Sequence, residues 1–328
     1  MNLRRLGQTD IELSPIGLGC WQFSQGKGFT GSVWAVLDQA QIDAVVRAAL
    51  DGGVTWFDTA EAYGNGQSER ALCAALQDLG VRPGGVVVAT KWMPIMRTAA
   101  NIPKTIETRR SCLQDYPIDL YQVHLPWSFS SIAAQMRQMA KLVRDGKCGS
   151  VGVSNFSARQ MEGAAAALAA EGLPLASNQV PISLLDRRIE RNGVLQTAKR
   201  LGVTLIAYSP LAQGVLTGRF HDDPQHVRNL PRGRRSRLVP ASRAHSPAAL
   251  ARSAPLIEEL RAIGAAYGAT VAQVSLAWLI THYGDTVVAI PGATRPAQAG
   301  ENATAMELSL TDRELARIDE LSLAVARS

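Results

Sequence analysis

The chain passes from strand to loop to helix in the stretch VTWFDTAEAYGNGQSERALCAAL, residues 54–76. The apolar, uncharged run at 54–57 predicts a buried strand. Glycines at 64 and 66 predict a turn, and Ser68 leads into a helical pattern. Asp58 is therefore expected at the end of the strand, with Tyr63 on the following loop. An acid and a phenol placed in this way could transfer protons if a neighbouring group lowered the phenol pKa from its unperturbed value of about 10.

The same strand-then-helix unit occurs eight times along the chain. A weak alternation around residues 7–10 predicts a hairpin before the first unit. The predicted strands are 15–21, 54–57, 86–91, 118–124, 150–155, 175–180, 203–208 and 286–291. The predicted helices are 40–50, 68–79, 103–114, 131–144, 158–170, 189–200, 255–267, 271–283, a short one after Pro296, and 312–324.

Strands this apolar favour a parallel sheet covered by helices. We therefore predict an α/β fold, a (β/α)8 TIM barrel with an N-terminal β-hairpin and extra C-terminal helices, as one domain over residues 1–328. An open doubly wound sheet is the alternative, but the Gly17-x-Gly19 pair is too short for the glycine pattern that such sheets often carry.

The composition is typical of a globular protein with a sizeable core. Hydrophobic residues make up 46% of the chain, and the mean hydropathy is near zero. No apolar run is long enough to span a bilayer, and residues 1–16 lack the apolar segment of a secretory signal, so a cytoplasmic protein without a membrane partner is predicted. The four cysteines are widely spaced, which predicts buried, reduced thiols and neither a metal site nor a disulfide framework.

Much of the net charge of +6 comes from one segment. We predict a loop insertion at 219–250, which carries six arginines between positions 228 and 243 with no acidic residue among them. Because no aromatic side chain is interleaved with these arginines, nucleic-acid binding is not indicated, and a solvated loop is the simpler interpretation.

Polar side chains end most of the predicted strands. In a barrel, chemistry collects at the carboxyl ends of the strands; in order, these ends are Asp58, Lys91, His124, Asn155, Gln179, Tyr208 and Pro291. Taken singly, such residues are more often caps, solvated charges or core residues. Together they favour a cluster in which Lys91 stays charged beside Asp58 and lowers the Tyr63 pKa. His124 could donate a hydrogen bond to a substrate oxygen or shuttle a proton.

Six segments, in this order, resemble the aldo-keto reductase family. They are DTAEAYG at 58–64, TK at 90–91, VHLP at 123–126, GVSNF at 152–156, YSPL at 208–211 and IPG at 290–292. The resemblance extends from the hairpin to the last helix, and the chain is similar to the branch that contains the potassium-channel β subunits.

The resemblance implies a catalytic tetrad of Asp58, Tyr63, Lys91 and His124. Tyr63 would be the general acid that protonates a carbonyl oxygen while a nicotinamide delivers hydride to the carbonyl carbon. Lys91, held by Asp58, would lower the Tyr63 pKa, and His124 would orient the carbonyl. The implied activity is NADPH-dependent reduction of aldehydes or ketones to alcohols.

The resemblance also implies a cofactor site along the last barrel strands. Ser154, Asn155 and Gln179 would hold the carboxamide, and Tyr208 would stack on the nicotinamide. Gly292 stands where many family members place a lysine near the 2′-phosphate; Arg295 could compensate, so that NADPH is predicted over NADH. The full predicted set is Gly19, Trp21, Ser154, Asn155, Gln179, Tyr208, Ser209, Pro210, Leu211, Gln213, Gly214, Leu216, Gly218, Ile290, Gly292, Ala293, Arg295, Gln298, Glu301 and Asn302.

Three tryptophans, Trp21, Trp92 and Trp127, follow predicted strands and could line the mouth with Tyr63 and His124. Such a wall would favour apolar or aromatic carbonyl compounds, and core packing is the alternative. The insertion at 219–250 could order over the cofactor phosphates or remain a disordered loop.

Two other functions compete with a reductase. One is a cofactor-binding regulatory protein with little turnover, and the other is a barrel isomerase or aldolase that uses Lys91 as a Schiff base. The complete tetrad favours the reductase. Substrate, direction of reaction and oligomeric state are not determined by the sequence.

Overall fold

The structure, a computed structural model, describes residues 2–28, 33–230 and 244–327. It begins with the predicted hairpin, in which β1 (Arg4–Arg5) pairs antiparallel with β2 (Glu12–Leu13). Leu6 and Leu13 are buried in one apolar cluster with residues of the barrel interior. The hairpin therefore closes the amino-terminal end of the barrel.

Eight parallel strands form the barrel wall, and they pair in chain order. They are β3 (Leu18–Gly19), β4 (Trp56–Asp58), β5 (Val87–Trp92), β6 (Leu120–Val123), β7 (Ser150–Ser154), β8 (Ser177–Pro181), β9 (Thr204–Tyr208) and β10 (Val287–Ala289). Backbone hydrogen bonds from Gly17 N to Ala289 O (2.8 Å) and from Gly19 N to Pro291 O (3.1 Å) join the first and last strands. The predicted closed barrel is confirmed over the open sheet.

Helices cover the outside of this wall, and a large apolar core fills the space between the two layers. They are α1 (Gln39–Asp51), α2 (Gln67–Asp78), α3 (Ile102–Leu113), α4 (Ile132–Arg144), α5 (Ala158–Ala169), α6 (Val194–Leu201), α7 (Arg219–Asp222), α8 (Pro247–Tyr267), α9 (Val271–His282), α10 (Pro296–Thr304) and α11 (Asp312–Arg327). Capping boxes begin α1, α5 and α9, where a side chain satisfies backbone N–H groups that the helix leaves free.

Two helix starts differ from the prediction. Helix α6 begins at Val194 rather than near 189, because Gly193 adopts a left-handed conformation (φ 82°) that interrupts the helical path. Helix α8 begins at Pro247 rather than 255, with the Ser246 side chain accepting a hydrogen bond from Ala249 N. Pro255 therefore lies inside a helix, where the apolar burial of its neighbours offsets the lost backbone hydrogen bond.

The insertion predicted as a loop at 219–250 contains ordered structure at both ends. Helix α7 and a 3-10 turn at Pro224–Val227 begin it, and α8 starts before it ends. Phe220, Leu230 and Leu250 form a small apolar cluster with Val215. Arg228 is described, whereas Arg232, Arg234, Arg235, Arg237 and Arg243 lie outside the described residues.

The cysteines and helices bear on two further predictions. All four cysteines, Cys20, Cys73, Cys112 and Cys148, are buried and form no disulfide bond, as predicted.

Among the described helices, no single one is long and apolar enough to cross a membrane. Taken together, α8 and α9 have sufficient length and apolar character, but they are bent by 95° relative to each other.

Candidate active site

A buried ion pair lies at the carboxyl end of the barrel. Asp58 ends β4 and Lys91 lies near the end of β5, and both side chains are excluded from solvent. The Lys91 ammonium contacts Asp58 Oδ1 and donates to Thr59 O at 2.9 Å. Asp58 Oδ2 accepts hydrogen bonds from the amides of Gln122 (3.0 Å) and Gln179 (2.9 Å). Full hydrogen bonding of both charges is what allows such a pair to be buried.

Gln122 belongs to this site although the sequence interpretation did not include it. The sequence signal that could have identified Gln122 is its polar side chain within the otherwise apolar strand β6. Gln179 was predicted to hold a cofactor carboxamide, and in this structure its amide nitrogen donates to Asp58 Oδ2.

Tyr63 lies on the loop between β4 and α2, as predicted. Residues Gly64, Asn65 and Gly66 all have positive φ angles, so the chain turns sharply after Tyr63 and enters α2. The Tyr63 hydroxyl lies 3.4 Å from Lys91 Nζ. The Tyr63 ring stacks on Trp21 with centroids 5.7 Å apart.

Burial and the interaction between Lys91 and Tyr63 both shift the pKa values of these two side chains. Burial alone would lower the Lys91 pKa, but Asp58 and Tyr63 outweigh it, so the pKa is raised above 10.5 and the ammonium persists. Burial raises the Tyr63 pKa more than the Lys91 charge lowers it, and the net pKa lies above 10. The predicted direction of the Lys91 effect is confirmed, whereas the predicted net lowering is wrong. At neutral pH the phenol is therefore protonated.

His124 follows β6 and completes the group. Its ring meets the Tyr63 ring edge-on, with centroids 5.7 Å apart and planes at 84°. Burial and the nearby Lys91 charge lower the His124 pKa to about 3, so the imidazole is neutral. Its Nδ1 atom is buried and has no hydrogen-bond partner within the described residues.

This low pKa predicts the pH dependence of the site. An ordinary histidine would produce an acid limb in kcat/KM near pH 6.5; because His124 is already neutral, kcat/KM for a carbonyl substrate is expected to show no such limb between pH 5 and about 8. The unfolded chain takes up a proton near pH 6.5, whereas the folded chain does so only near 3. Stability should therefore fall as the pH falls from 6.5 towards 3.

The control is His124→Gln, in which the part of this stability loss that depends on His124 should be absent. Urea denaturation at several pH values, combined with pH–rate profiles, measures both effects. A limb near pH 6.5 that disappears in His124→Gln would contradict the assignment of a neutral imidazole.

A second ionic network holds the loop that carries Tyr63. Arg109 donates to Glu69 at 2.7 Å and lies 4.0 Å from Glu61, which also accepts from Arg97 at 2.5 Å. Glu69 accepts a further hydrogen bond from Thr90, the neighbour of Lys91, at 2.6 Å. Burial raises the Glu69 pKa to about 7 against the opposing effects of Arg109 and Thr90. The network fixes the loop of Tyr63 against the strand of Lys91.

Three residues of the predicted carboxamide end lie together beside His124. Asn155, at a φ of 63°, donates to His124 O at 3.2 Å and to Ser154 Oγ at 3.0 Å. The Tyr208 hydroxyl donates to Asn155 Oδ1 at 3.0 Å, and Ser154 Oγ donates to Gln179 O at 2.9 Å. Burial raises the Tyr208 pKa to about 12, so this hydroxyl remains a donor.

The loop after β9 is an irregular 3-10 segment at Ala212–Thr217. Ser209, Gln213 and Gly214 have positive φ angles, and Gln213 Nε2 donates to Ser209 Oγ at 3.0 Å. This loop carries the predicted phosphate-side residues Ser209, Pro210, Leu211, Gln213, Gly214, Leu216 and Gly218 and ends at α7.

Two arginines, Arg219 and Arg295, lie close enough in this region for their charges to interact. Burial, and secondarily the charge of Arg295, lower the pKa of Arg219. Arg219 Nε is buried without a hydrogen-bond partner, and in the described part of the chain neither arginine forms an ion pair. Two such cations suit an anionic ligand such as a phosphate. The sequence interpretation included Arg295 but not Arg219. The signal for Arg219 was its position directly after the glycine-containing loop.

The other predicted cofactor residues lie around the closure of the barrel and the start of α10. Gly19 bridges to Gly292, and Thr294 donates to Gln298 Oε1 at 3.0 Å. Ile290 and Ala293 are buried on either side of Gly292, and Glu301 and Asn302 lie in α10.

The three predicted mouth tryptophans differ in their placement. Trp21 stacks on Tyr63, and Trp127 is 67% exposed on the loop after β6. The prediction for Trp92 is wrong: its side chain is fully buried, and its indole N–H donates to Asn101 Oδ1 at 3.0 Å. Because side chains alternate along a strand and Lys91 points into the barrel, Trp92 points outwards into the helical layer.

The comparisons with known proteins identify the family to which this barrel belongs. The model of the Aldo/keto reductase family matches residues 15–323, and the chain belongs to that family. An uncharacterized oxidoreductase of Mycobacterium tuberculosis is 40% identical over 301 residues, which cover 92% of this chain and 86% of the relative.

Solved structures show the same fold. The glycerol dehydrogenase of Gluconobacter oxydans has a TM-score of 0.80 and 28% identity, covering 99% of this chain and 96% of that chain. An aldo/keto reductase from Klebsiella pneumoniae, in complex with NADP and acetate, has a TM-score of 0.74 and 27% identity, covering 98% and 96%.

Proposed function

We propose that the protein reduces aldehyde or ketone carbonyls to alcohols with NADPH, and that Tyr63 is the general acid. The observation that carries the proposal is the Tyr63 hydroxyl 3.4 Å from the Lys91 ammonium, with the His124 ring edge-on to the Tyr63 ring. The raised Tyr63 pKa and the lowered His124 pKa agree with a protonated phenol beside a neutral imidazole. A bound nicotinamide would supply the hydride to the carbonyl carbon. Tyr63 gives its proton to the carbonyl oxygen, so that one hydride and one proton convert the carbonyl to the alcohol.

Each neighbour has a separate part in this proton transfer. The Lys91 ammonium, held by Asp58, stabilises the phenolate that Tyr63 becomes after donation. His124, being neutral, orients the carbonyl through a hydrogen bond without competing for the proton. Membership of the Aldo/keto reductase family and the NADP in the Klebsiella pneumoniae structure support the choice of cofactor.

The experiment that tests this proposal is a titration of the protein with NADPH and NADH, followed by tryptophan fluorescence, together with an aldehyde-reduction assay. Tight NADPH binding with turnover supports it. Binding without turnover of any simple aldehyde would indicate a regulatory protein instead. Absence of binding of either nucleotide would overturn the cofactor assignment.

Removing either cation of the Arg219–Arg295 pair should weaken NADPH binding selectively. A hydrogen bond to a charged group contributes about 1.5–3 kcal/mol, so Arg295→Ala and Arg219→Ala are each expected to raise the Kd for NADPH about 10- to 100-fold. NADH lacks the 2′-phosphate, and its Kd should change much less. Arg110→Ala, which removes an exposed arginine of α3, is the matched control. An equal loss of affinity for NADPH and NADH would show that the two arginines do not contact the 2′-phosphate.

A further inference from the structure

Glu61 begins the loop that carries Tyr63, and it is bound to the strand and loop that carry Lys91. Its backbone N–H donates to Lys91 O at 3.2 Å. Its side chain is 8% exposed, and a single oxygen, Oε1, accepts from Met93 N at 2.7 Å and from Arg97 at 2.5 Å. Glu61 therefore joins the segment of the proposed proton donor to the segment of the cation beside it.

The other carboxylate oxygen of Glu61 lies next to Arg109. Glu61 Oε2 is 4.0 Å from Arg109 Nε, and Arg109 in turn donates to Glu69 at 2.7 Å. The backbone of Glu61 also closes the turn that follows Tyr63, because Gly66 N donates to Glu61 O at 2.9 Å. Glu61 thus takes part in fixing the loop on both sides of Tyr63.

The hydrogen bond of the Tyr63 hydroxyl is too long to fix the position of this group by itself. Its distance of 3.4 Å to Lys91 Nζ exceeds the usual range of about 2.7–3.2 Å. A displacement of about 1 Å at a reacting group can lower a rate about 100-fold. The place of the hydroxyl therefore depends on the loop backbone, which Glu61 holds.

Arg97 is the more exposed partner of Glu61 and belongs to the loop at 93–98 that follows β5. Its side chain is 37% exposed. Its backbone oxygen accepts from Phe129 N at 3.0 Å and from Ser128 Oγ at 2.9 Å, both on the loop after β6. The ion pair of Arg97 with Glu61 therefore connects these two loops at the carboxyl end of the barrel to the loop of Tyr63.

We infer that Glu61 is a positioning residue for Tyr63 and that Arg97 holds Glu61 in this role. The Glu61 carboxylate fixes the start of the loop, so that the Tyr63 hydroxyl stays beside the Lys91 ammonium. There the phenolate formed by proton transfer is stabilised. The inference rests on the proposed function, because it requires Tyr63 to be the general acid.

Arg97→Ala and Arg97→Lys test the inference in single-turnover reduction of benzaldehyde with NADPH. Arg97→Ala is expected to lower the rate of the chemical step about 10- to 100-fold, because the loop of Tyr63 loses one of its anchors. The Kd for NADPH should stay within about twofold, since no affinity is assigned to Arg97. Arg97 contacts Glu61 through one nitrogen, Nη1, so a lysine can replace this contact and should restore most of the lost rate.

Glu61→Ala should lower the rate at least as much as Arg97→Ala, because Arg97 acts through Glu61. In the double variant Glu61→Ala/Arg97→Ala the two losses should not multiply. Losses that multiply would show that Arg97 acts by a route other than Glu61.

The Tyr63→Phe background separates positioning from a general effect on the fold. This variant has no phenol hydroxyl to position, so adding Arg97→Ala should change its residual single-turnover rate less than about twofold. A loss of the same size in both backgrounds would contradict the inference, because Arg97 would then act without Tyr63.

Arg144→Ala is the matched control. Arg144 is 52% exposed and pairs at 2.6 Å with Glu171, which is 22% exposed, but this pair lies at the amino-terminal end of the barrel, where α4 leads to β7. Its removal should change neither the rate nor the Kd for NADPH. If Arg97→Ala and Glu61→Ala react as fast as the unaltered protein, the inference is overturned and the proposed function stands. If the unaltered protein reduces neither benzaldehyde nor any other simple aldehyde, the proposed function fails and the inference fails with it.

Discussion

Tyr63→Phe is expected to lower kcat for aldehyde reduction about 100- to 10,000-fold, the range that general acid catalysis usually contributes. Tyr63 is the proposed proton donor, and its neighbour His124 cannot replace it because its pKa of about 3 leaves it neutral. The Lys91 ammonium is held by Asp58 and Thr59 O, so its position does not depend on the phenol. The substitution therefore removes the proton without disturbing the charges around it.

The NADPH affinity of Tyr63→Phe should stay within about twofold of the unaltered protein, since the ring can still stack on Trp21. Single-turnover measurements of NADPH oxidation separate the chemical step from binding and release. Tyr208→Phe is the control, because it removes the hydroxyl of a neighbouring tyrosine that bonds Asn155. Tyr208→Phe should change the cofactor affinity more than the rate of the chemical step. Full activity in Tyr63→Phe would show that another group supplies the proton.

The barrel and the clustering of Asp58, Tyr63, Lys91 and His124 could be predicted because they depend on local patterns. Each strand is a short apolar run, and each of Asp58, Lys91 and His124 lies at or near the end of one. Since parallel strands present their carboxyl ends at one rim, strand order alone brings such residues together. Tyr63 needed in addition the turn at Gly64–Gly66, which the glycines indicate.

Contacts between distant side chains were not predictable in this way. The amides that hold Asp58 come from β6 and β8, and Glu69 reaches Arg109 in α3. Such pairings depend on the register between strands and on side-chain direction, which periodicity does not determine. The net pKa of Tyr63 also required the structure, because the burial that raises it is a property of the packed loop.

Two other predictions were wrong although the sequence contained the signals needed to correct them. Lys91 was placed in one cluster with Asp58, and alternation along β5 then requires the next residue, Trp92, to face the helices. For α8, Ser246-Pro247 is a better helix start than Pro255, because serine caps the helix and proline fits its first turn. In both cases a local rule was available and was outweighed by proximity to a strand end or by an apolar run.

The buried Asp58–Lys91 pair should have a large effect on stability when only one charge is removed. Lys91→Met retains an aliphatic chain in the same space but leaves the Asp58 carboxylate with only two amide donors among the described residues. Breaking a buried pair in this way usually costs about 3–5 kcal/mol of unfolding free energy. Activity should also be lost, because the phenolate of Tyr63 would no longer be stabilised.

The double variant Asp58→Asn/Lys91→Met separates the two effects. It removes both charges, and the amide oxygen that the Asp58→Asn substitution introduces can still accept from Gln122 or Gln179, so most of the stability lost in Lys91→Met should return. Activity should not return, since no cation remains beside Tyr63. Urea denaturation measures the first outcome and single-turnover assays the second. A double variant as unstable as Lys91→Met would show that Lys91 stabilises the fold through its packing, and an active double variant would show that the charge of Lys91 is not required for proton transfer.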